Sequence, residues 1–264
     1  MAEGAYDPPD GNSVAWCWNA PDEFTPVGTN GISNLTGRRN VDAGFSIVTY
    51  EGSTNDASTY THGLNRTPEF VITKTRTAAN EGWAVWQTSL GTGRLLRLHS
   101  SAEAGQNGSV WQDFDENVIT IGDNTIVNGT GETYVSYIWH SVPGYSAFGS
   151  YQGNGEGGGS SPFVYLGFRP AFLMIKCSSA GTGGVHNWWI HDTTRAVNNP
   201  STNPIAANVP QEEFDFGSAL IDLNSNGFKL RGGPDQMNGN QTYVYCAFAE
   251  NPFGSSNTSP ANAR

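Results

Sequence analysis

The sequence TYVSYIWHSVP at residues 133–143 returns, changed but ungapped, as TYVYCAFAENP at residues 242–252. Each copy begins Thr-Tyr-Val, alternates through apolar residues and stops at a proline. Earlier motifs match in the same order. GFSIVTYEG (44–52) is answered by GYSAFGSYQG (144–153), and GLNRTPEFVITK (63–74) by LGFRPAFLMIK (166–176). EGWAVWQTSLG (81–91) is answered by HNWWIHDTTR (186–195). Four ordered matches make the chain a tandem duplication. The offset grows from 100 between Gly44 and Gly144 to 109 between Thr133 and Thr242, as loop insertions between matched strands produce. The chain divides into an N-terminal arm (1–44), a first module (45–143), a second module (144–254) and a polar tail (255–264).

The matched stretches are short, β-branched or aromatic, and bounded by turn clusters such as Glu51-Gly52-Ser53-Thr54-Asn55-Asp56, which is strand-and-turn punctuation. In the closing strand, Val135, Tyr137 and Trp139 share one face by the two-residue period, and Tyr134 and Ile138 share the other. Apolar groups on both faces predict a strand with the module core on one side and a neighbouring layer on the other. Helical spacing is seen only over 205–223, where Pro210 breaks it. The predicted fold class is all-β: two tandem, duplicated β-sandwich-like modules with few or no helices.

The arm holds SVAWCWNAPDEF (13–24), which aligns on Val14 with both closing strands. Trp16 falls on Tyr137 and Cys246, and Trp18 on Trp139 and Phe248; Pro21 arrives one residue early. This reads as a third closing strand without its module. An unpaired strand exposes backbone groups that seek partners. Val14, Trp16 and Trp18 are therefore a candidate assembly interface, filling a place in the first module's sheet or docking on another chain.

Composition excludes several classes. Of 264 residues only 14% are charged, while 33 are glycine and 12% aromatic, as in a loop-rich β-protein. A net charge of −11 disfavours nucleic-acid backbones and anionic membrane surfaces. Cys17, Cys177 and Cys246 are odd in number and widely spaced, so neither a disulfide framework nor a zinc site is expected. No secretory leader or membrane-spanning run is visible, so membrane insertion is not expected.

Catalytic patterns are weak. Gly153-Asn154-Gly155-Glu156-Gly157-Gly158 matches GxGxxG, yet a loop and a strand follow where the motif needs a helix. His186 and His191 are five apart and point to opposite faces of a strand. The acids Asp113, Asp115 and Glu116, and Glu212, Glu213 and Asp215, interleave with phenylalanines like a loop edge. No catalytic residue, metal site or cofactor is expected. Trp86, Trp111 and Trp189 are candidate ligand-stacking aromatics, beside the alternative that they pack the core.

The motifs FSIVTYEG, HGLNRTPEFVITK, YSAFGSYQGNG, PFVYLGFRPAFLMIK, NWWIHDTTR, SNGFKLR and YVYCAFAENPF together resemble a family of structural proteins of marine tailed phages. These are usually described as tail-fibre or other virion proteins, often beside concanavalin-like lectin modules. The resemblance spans most of residues 14–254 and transfers no active site. It implies a non-enzymatic virion protein, released by lysis, of tail-fibre or adhesin-like type. The alternatives are a capsid-surface decoration protein and a carbohydrate-binding module or glycan depolymerase. Implied partners are other virion proteins, further copies of the chain and a host-surface glycan.

Overall fold

The computed structural model of the chain describes residues 14–79, 81–179, 186–232 and 235–252. The first half runs β1 (Asp22–Phe24), β2 (Ser33–Asn40), β3 (Phe45–Glu51), β4 (Ser58–Thr61), β5 (Phe70–Thr75) and β6 (Trp83–Gln87). It continues through β7 (Arg94–Arg97), β8 (Gly105–Gln106), β9 (Trp111–Phe114), β10 (Val118–Ile121), the one-turn α1 (Thr125–Asn128) and β11 (Thr133–Trp139). The second half runs β12 (Ser146–Gln152), β13 (Phe163–Tyr165), β14 (Pro170–Cys177), β15 (Trp189–Asp192) and β16 (Ile205–Ala206). It ends with β17 (Ile221–Asn224), β18 (Gly227–Leu230), the one-turn α2 (Asp235–Asn238) and β19 (Thr242–Ala249).

Four antiparallel sheets result. The first half forms a large sheet of order β1-β2-β3-β11-β5-β6-β7-β8 and a small one of order β4-β10-β9. The second forms β12-β19-β14-β15-β16 and β13-β18-β17. The orders coincide: β3-β11-β5-β6 corresponds to β12-β19-β14-β15, and β4-β10-β9 to β13-β18-β17. The fold is all-β, with two duplicated sandwich-like units. Strand register corrects one detail of the alignment. Phe45 pairs with Trp139 and Ser146 with Phe248, so the opening strands are offset by 101 residues, and Gly144 stands one residue ahead of the place Gly44 holds.

Side-chain alternation sorts the large sheets' residues into three cores. Val48, Tyr50, Tyr134, Ile138 and Val71 face the small sheet of the first unit, where Tyr60, Ile119 and Ile121 meet them. Leu173, Ile175, Tyr243 and Ala247 do the same in the second, against Val164, Phe228 and Leu230. The opposite faces carry Phe45, Phe70, Val85 and Trp139 on one large sheet and Phe148, Phe172, Met174, Val244 and Phe248 on the other. These meet in a third core, a seam between the two large sheets, with Phe70 and Phe148 stacked at 5.6 Å. The molecule is thus four layers deep. The two-faced closing strand expected from the sequence is present in both units.

Each unit is closed by the same lock, an Asn-Gly step followed by a tyrosine. Tyr50 and Tyr134 stack at 5.1 Å, as do Tyr151 and Tyr243. Tyr50 donates to Val127 O and Tyr151 to Met237 O, both at 2.6 Å. Gly129 N donates to Tyr134 Oη at 2.7 Å and Gly239 N to Tyr243 Oη at 2.8 Å. Fully buried Asn128 accepts from Ser53 N and donates to Asn55 O and Gly122 O, at 2.8, 2.8 and 2.9 Å. Asn238, also fully buried, accepts from Asn154 N at 3.2 Å and donates to Glu156 O at 2.7 Å. One amide thereby satisfies backbone groups of several loops that the sheet ladders leave unpaired.

Truncating that amide strands those groups away from water. Asn128→Ala and Asn238→Ala are each expected to lower unfolding free energy by about 2 kcal/mol or more. Urea denaturation measures this, and an unchanged midpoint in both variants would show that the lock is not structural.

Candidate functional site

The three candidate stacking tryptophans are core residues. Trp86 is 4% exposed, Trp111 0% and Trp189 2%, so none offers a ring face to a ligand, and the stacking expectation is corrected. Trp86 lies against Phe114, with ring centroids 3.5 Å apart, and donates Nε1–H to Gly91 O. Trp189 meets Phe214 and Phe216 edge-on at 5.0 and 5.3 Å. Those phenylalanines belong to the 212–216 acidic stretch: its aromatics turn inward and Glu212, Glu213 and Asp215 stay exposed. Residues 205–223 accordingly form no helix. Register also separates the tryptophans. Trp83 and Trp188 occupy equivalent places, but Trp86 corresponds to His191 and Trp189 to Ala84.

The arm lies on its own chain. Residues 14–20 form no strand, which corrects the expectation of a third closing strand; the arm pairs instead through β1, at the edge of β2. Val14, Trp16 and Trp18 are half-buried while Ala15 and Cys17 are exposed, so the predicted alternation survives without a ladder. Trp16 packs edge-on against Phe172 at 5.2 Å. Trp18 meets Trp139 of the first unit at 6.0 Å and Phe172 and Phe248 of the second at 5.8 and 5.2 Å. The arm therefore covers the seam and touches both large sheets. Arg38 anchors it by donating Nε–H to Ala20 O at 2.9 Å.

Polar bonds also cross the seam. Trp188 Nε1 donates to Arg97 O at 2.9 Å, and Ala104 N to Ser178 O at 3.1 Å. Lys176 is fully buried and donates Nζ–H to His186 O at 2.6 Å and to Ser101 O at 2.8 Å. Burial pushes its pKa down to about 8, against a smaller upward pull from Cys177 and Glu103.

A polar groove of about 520 Å³ opens at one end of the first unit, lined by Asn65, Arg66, Thr67, Glu69, Glu116, His140 and Ser141. Glu69 Oε2 accepts from Ser141 N at 3.2 Å and from the Ser141 hydroxyl. Ser141 Oγ in turn accepts from Phe148 N of the second unit at 3.2 Å. His140 is 5% exposed and its Nδ1 lies 3.0 Å from Ser141 O, so Nδ1 carries the proton. Its Nε2 is buried without a hydrogen-bond partner. Room for this ring exists because residue 44 is glycine: a Cβ there would lie 2.8 Å from His140 Cε1. Beside it, buried His62 donates to Asp115 O at 3.3 Å, and burial lowers its pKa to about 4. Burial favours the neutral His62 ring, and both rings are packed into the end of the first unit.

The second unit closes the same end differently. Leu166 stands in place of His62 and Ala249 in place of His140. Glu250 replaces Ser141 and pairs with Arg169 at 2.7 Å. Asp115 of the 113–116 cluster likewise has a structural duty. Asp115 Oδ1 accepts from Asn117 N and Val118 N, which holds its carboxyl below the usual range and closes the β9–β10 turn. Asn124 caps α1 through Ile126 N. Among the described residues, no group of three or more His, Cys, Asp or Glu side chains converges to hold a metal ion, and no helix is long and apolar enough to cross a membrane.

Two expectations follow from the seam. Trp18→Ala removes a half-buried ring touching both units and is expected to cost about 2 kcal/mol, whereas Cys17→Ala, on the exposed side, leaves the melting midpoint unchanged. Lys176→Met tests the buried ammonium. Its depressed pKa means the folded state carries a penalty below pH 8 that vanishes as pH rises through 10.5, where the unfolded lysine also loses its proton. Cys177 and several buried tyrosines, with pKa values pushed up, act oppositely at high pH, so the comparison is with wild type. The stability advantage of Lys176→Met over wild type should shrink by about 3 kcal/mol between pH 8 and 10.5; a pH-independent difference contradicts the assignment.

No curated protein and no solved structure matches the chain. The match that is found is to a family model covering residues 2–252, and so both units and the seam between them. The chain belongs to that family, described as Domain of unknown function (DUF7483).

Proposed function

We propose that this protein is a non-enzymatic structural component of a tailed-phage virion, of tail-fibre or adhesin-like type, acting in assembly and host-surface attachment. The observation that carries this reading is where the phage-like motifs fall. FSIVTYEG builds β3, PEFVITK leads into and builds β5, LMIK lies in β14, and YVYCAFA builds β19. They are the framework strands of the two units, and their side chains fill the module cores and the seam. Glu69 in the groove and Asp115 in the β9–β10 turn hold loops in place, which suits a scaffold. Any contact with a host glycan must use groups other than Trp86, Trp111 and Trp189.

The test is location. Antibody raised against the purified protein, used for gold labelling of purified particles, should decorate the tail or its tip. Label over the head would move the protein to the capsid-decoration class. Protein abundant in the lysate but missing from purified particles by mass spectrometry would overturn the virion reading.

A further inference from the structure

The duplication provides an internal comparison for every edge of the fold. In the first unit β3 is covered by β2, and β2 by β1. Its corresponding strand in the second unit, β12, ends its sheet, with no strand on its outer side among the described residues. The connection from β11 to β12 is residues 140–145, too short to supply a covering strand.

The ladder shows which groups are left over. Ala249 N donates to Tyr145 O and Gly153 N to Gln241 O, so Tyr145, Ala147, Gly149, Tyr151 and Gly153 turn their backbone toward β19. Ser146, Phe148, Ser150 and Gln152 turn theirs outward. Ser146 is bonded both ways to Val142, and Phe148 N is taken by Ser141 Oγ. Among the described residues, that leaves Phe148 O and the N–H and C=O of Ser150 and Gln152 without partners. The equivalent residues of β3 are the ones that face β2, in the pairs Arg38 with Ile47 and Thr36 with Thr49.

β12 is also unlike the other terminal strands, which are two to four residues long: β1, β4, β8, β9, β13, β16 and β17. β1 carries Asp22 and Glu23, and β9 carries Asp113. β12 is seven residues, SAFGSYQ, with no charge and no proline, and it pairs with β19 without a bulge. Shortness, charge, proline and bulges are the means by which proteins protect edges from pairing. β12 uses none of them.

We propose that β12 is an assembly edge that pairs antiparallel with β12 of a second copy of this chain, joining two five-stranded sheets into one of ten strands. Two identical antiparallel strands related by a two-fold axis are self-complementary. An axis at Ser150 exchanges both bonds between the two Ser150 residues and sets Gln152 N against Phe148 O, which are the groups left over. The chain carries a net charge of −11, so copies repel over most of their surface. An uncharged strand, with Phe148 buried in the seam and Ser150 and Gln152 beside the axis, is where two copies can approach closely. The inference is independent of where on a particle, or whether on one, the protein sits.

Sedimentation velocity on the full chain tests it over roughly 1–100 µM, the range in which a small polar interface dissociates. A reversible dimer is expected. Ser150→Lys places two like charges across the axis, and Ser150→Pro removes the outward N–H; each should weaken the dimer by about 10-fold or more with the melting midpoint retained. Hydrogen exchange on wild type, which needs no variant, should show the Ser150 and Gln152 amides protected at high concentration and exposed at low. A monomer throughout, or a dimer insensitive to both variants with those amides unprotected, overturns the proposal. So does a wild-type monomer that dimerises once residues 2–13 are deleted, because the chain's own N-terminus then covers the edge.

Discussion

The closing strand of each unit, β11 or β19, carries apolar side chains on both faces, and the rest of the architecture follows from burying them. β11 sends Tyr134 and Ile138 into one core and Tyr137 and Trp139 toward another; β19 sends Tyr243 and Ala247 one way and Val244, Cys246 and Phe248 the other. A sheet with one wet face could stand alone as half of a sandwich. A sheet apolar on both faces must find a second cover, since exposed apolar area costs about 25 cal/mol per Å². Each unit is the other's second cover. The two units are therefore one folding problem, although the chain solved it by repeating a single module.

Repetition also separates what the fold requires from what is local. Both units keep the tyrosine stack, the buried Asn-Gly step and the lysine at the end of the third framework strand. Both put glycine at a positive φ before the buried Leu64 or Phe168, at 73° for Gly63 and 81° for Gly167, a conformation that a side chain at that residue would strain. The units part at the groove end. There Leu166 and Ala249 of the second unit take the places that His62 and His140 hold in the first, and an ion pair replaces a serine–carboxylate bond. A feature present in one copy alone is not needed to close the sandwich.

Much of this was legible in the sequence because strand period and repetition are local signals. The two-faced closing strand is written in the alternation at 133–139 and its return at 242–248, the duplication in four ordered motif matches, and the all-β class in short strands bounded by turn residues. The burial of the tryptophans was not legible, because a ring's exposure depends on what packs over it. Trp189 is covered by Phe214 and Phe216, more than twenty residues away, and Trp86 by Phe114. The arm misled for a related reason: Val14, Trp16 and Trp18 alternate like a closing strand, but alternation reports which face is apolar, not whether the backbone joins a ladder. The Asn-Gly lock has a sequence signal of its own: NGTGETY and NGNQTY lead into the two closing strands at matching places.

The seam shows how a duplicated position acquires a new partner. Lys74 and Lys176 are the penultimate residues of equivalent strands, and each donates to the carbonyl two residues before the next framework tryptophan, Glu81 O at 2.7 Å and His186 O at 2.6 Å. Only Lys176 makes a second bond, to Ser101 O in the other unit. Trp188 likewise reaches Arg97 O, and Ser178 O receives Ala104 N. All three bonds end on residues 97–104, the segment that follows β7 and leads to β8. Apolar contact alone would let two sheets slide, because dispersion and solvent exclusion are nearly indifferent to small shifts in register. Directional bonds to successive points on one segment remove that freedom. Lys176 carries a desolvation cost, and its ammonium ties the end of β14 to the 97–104 segment of the other unit.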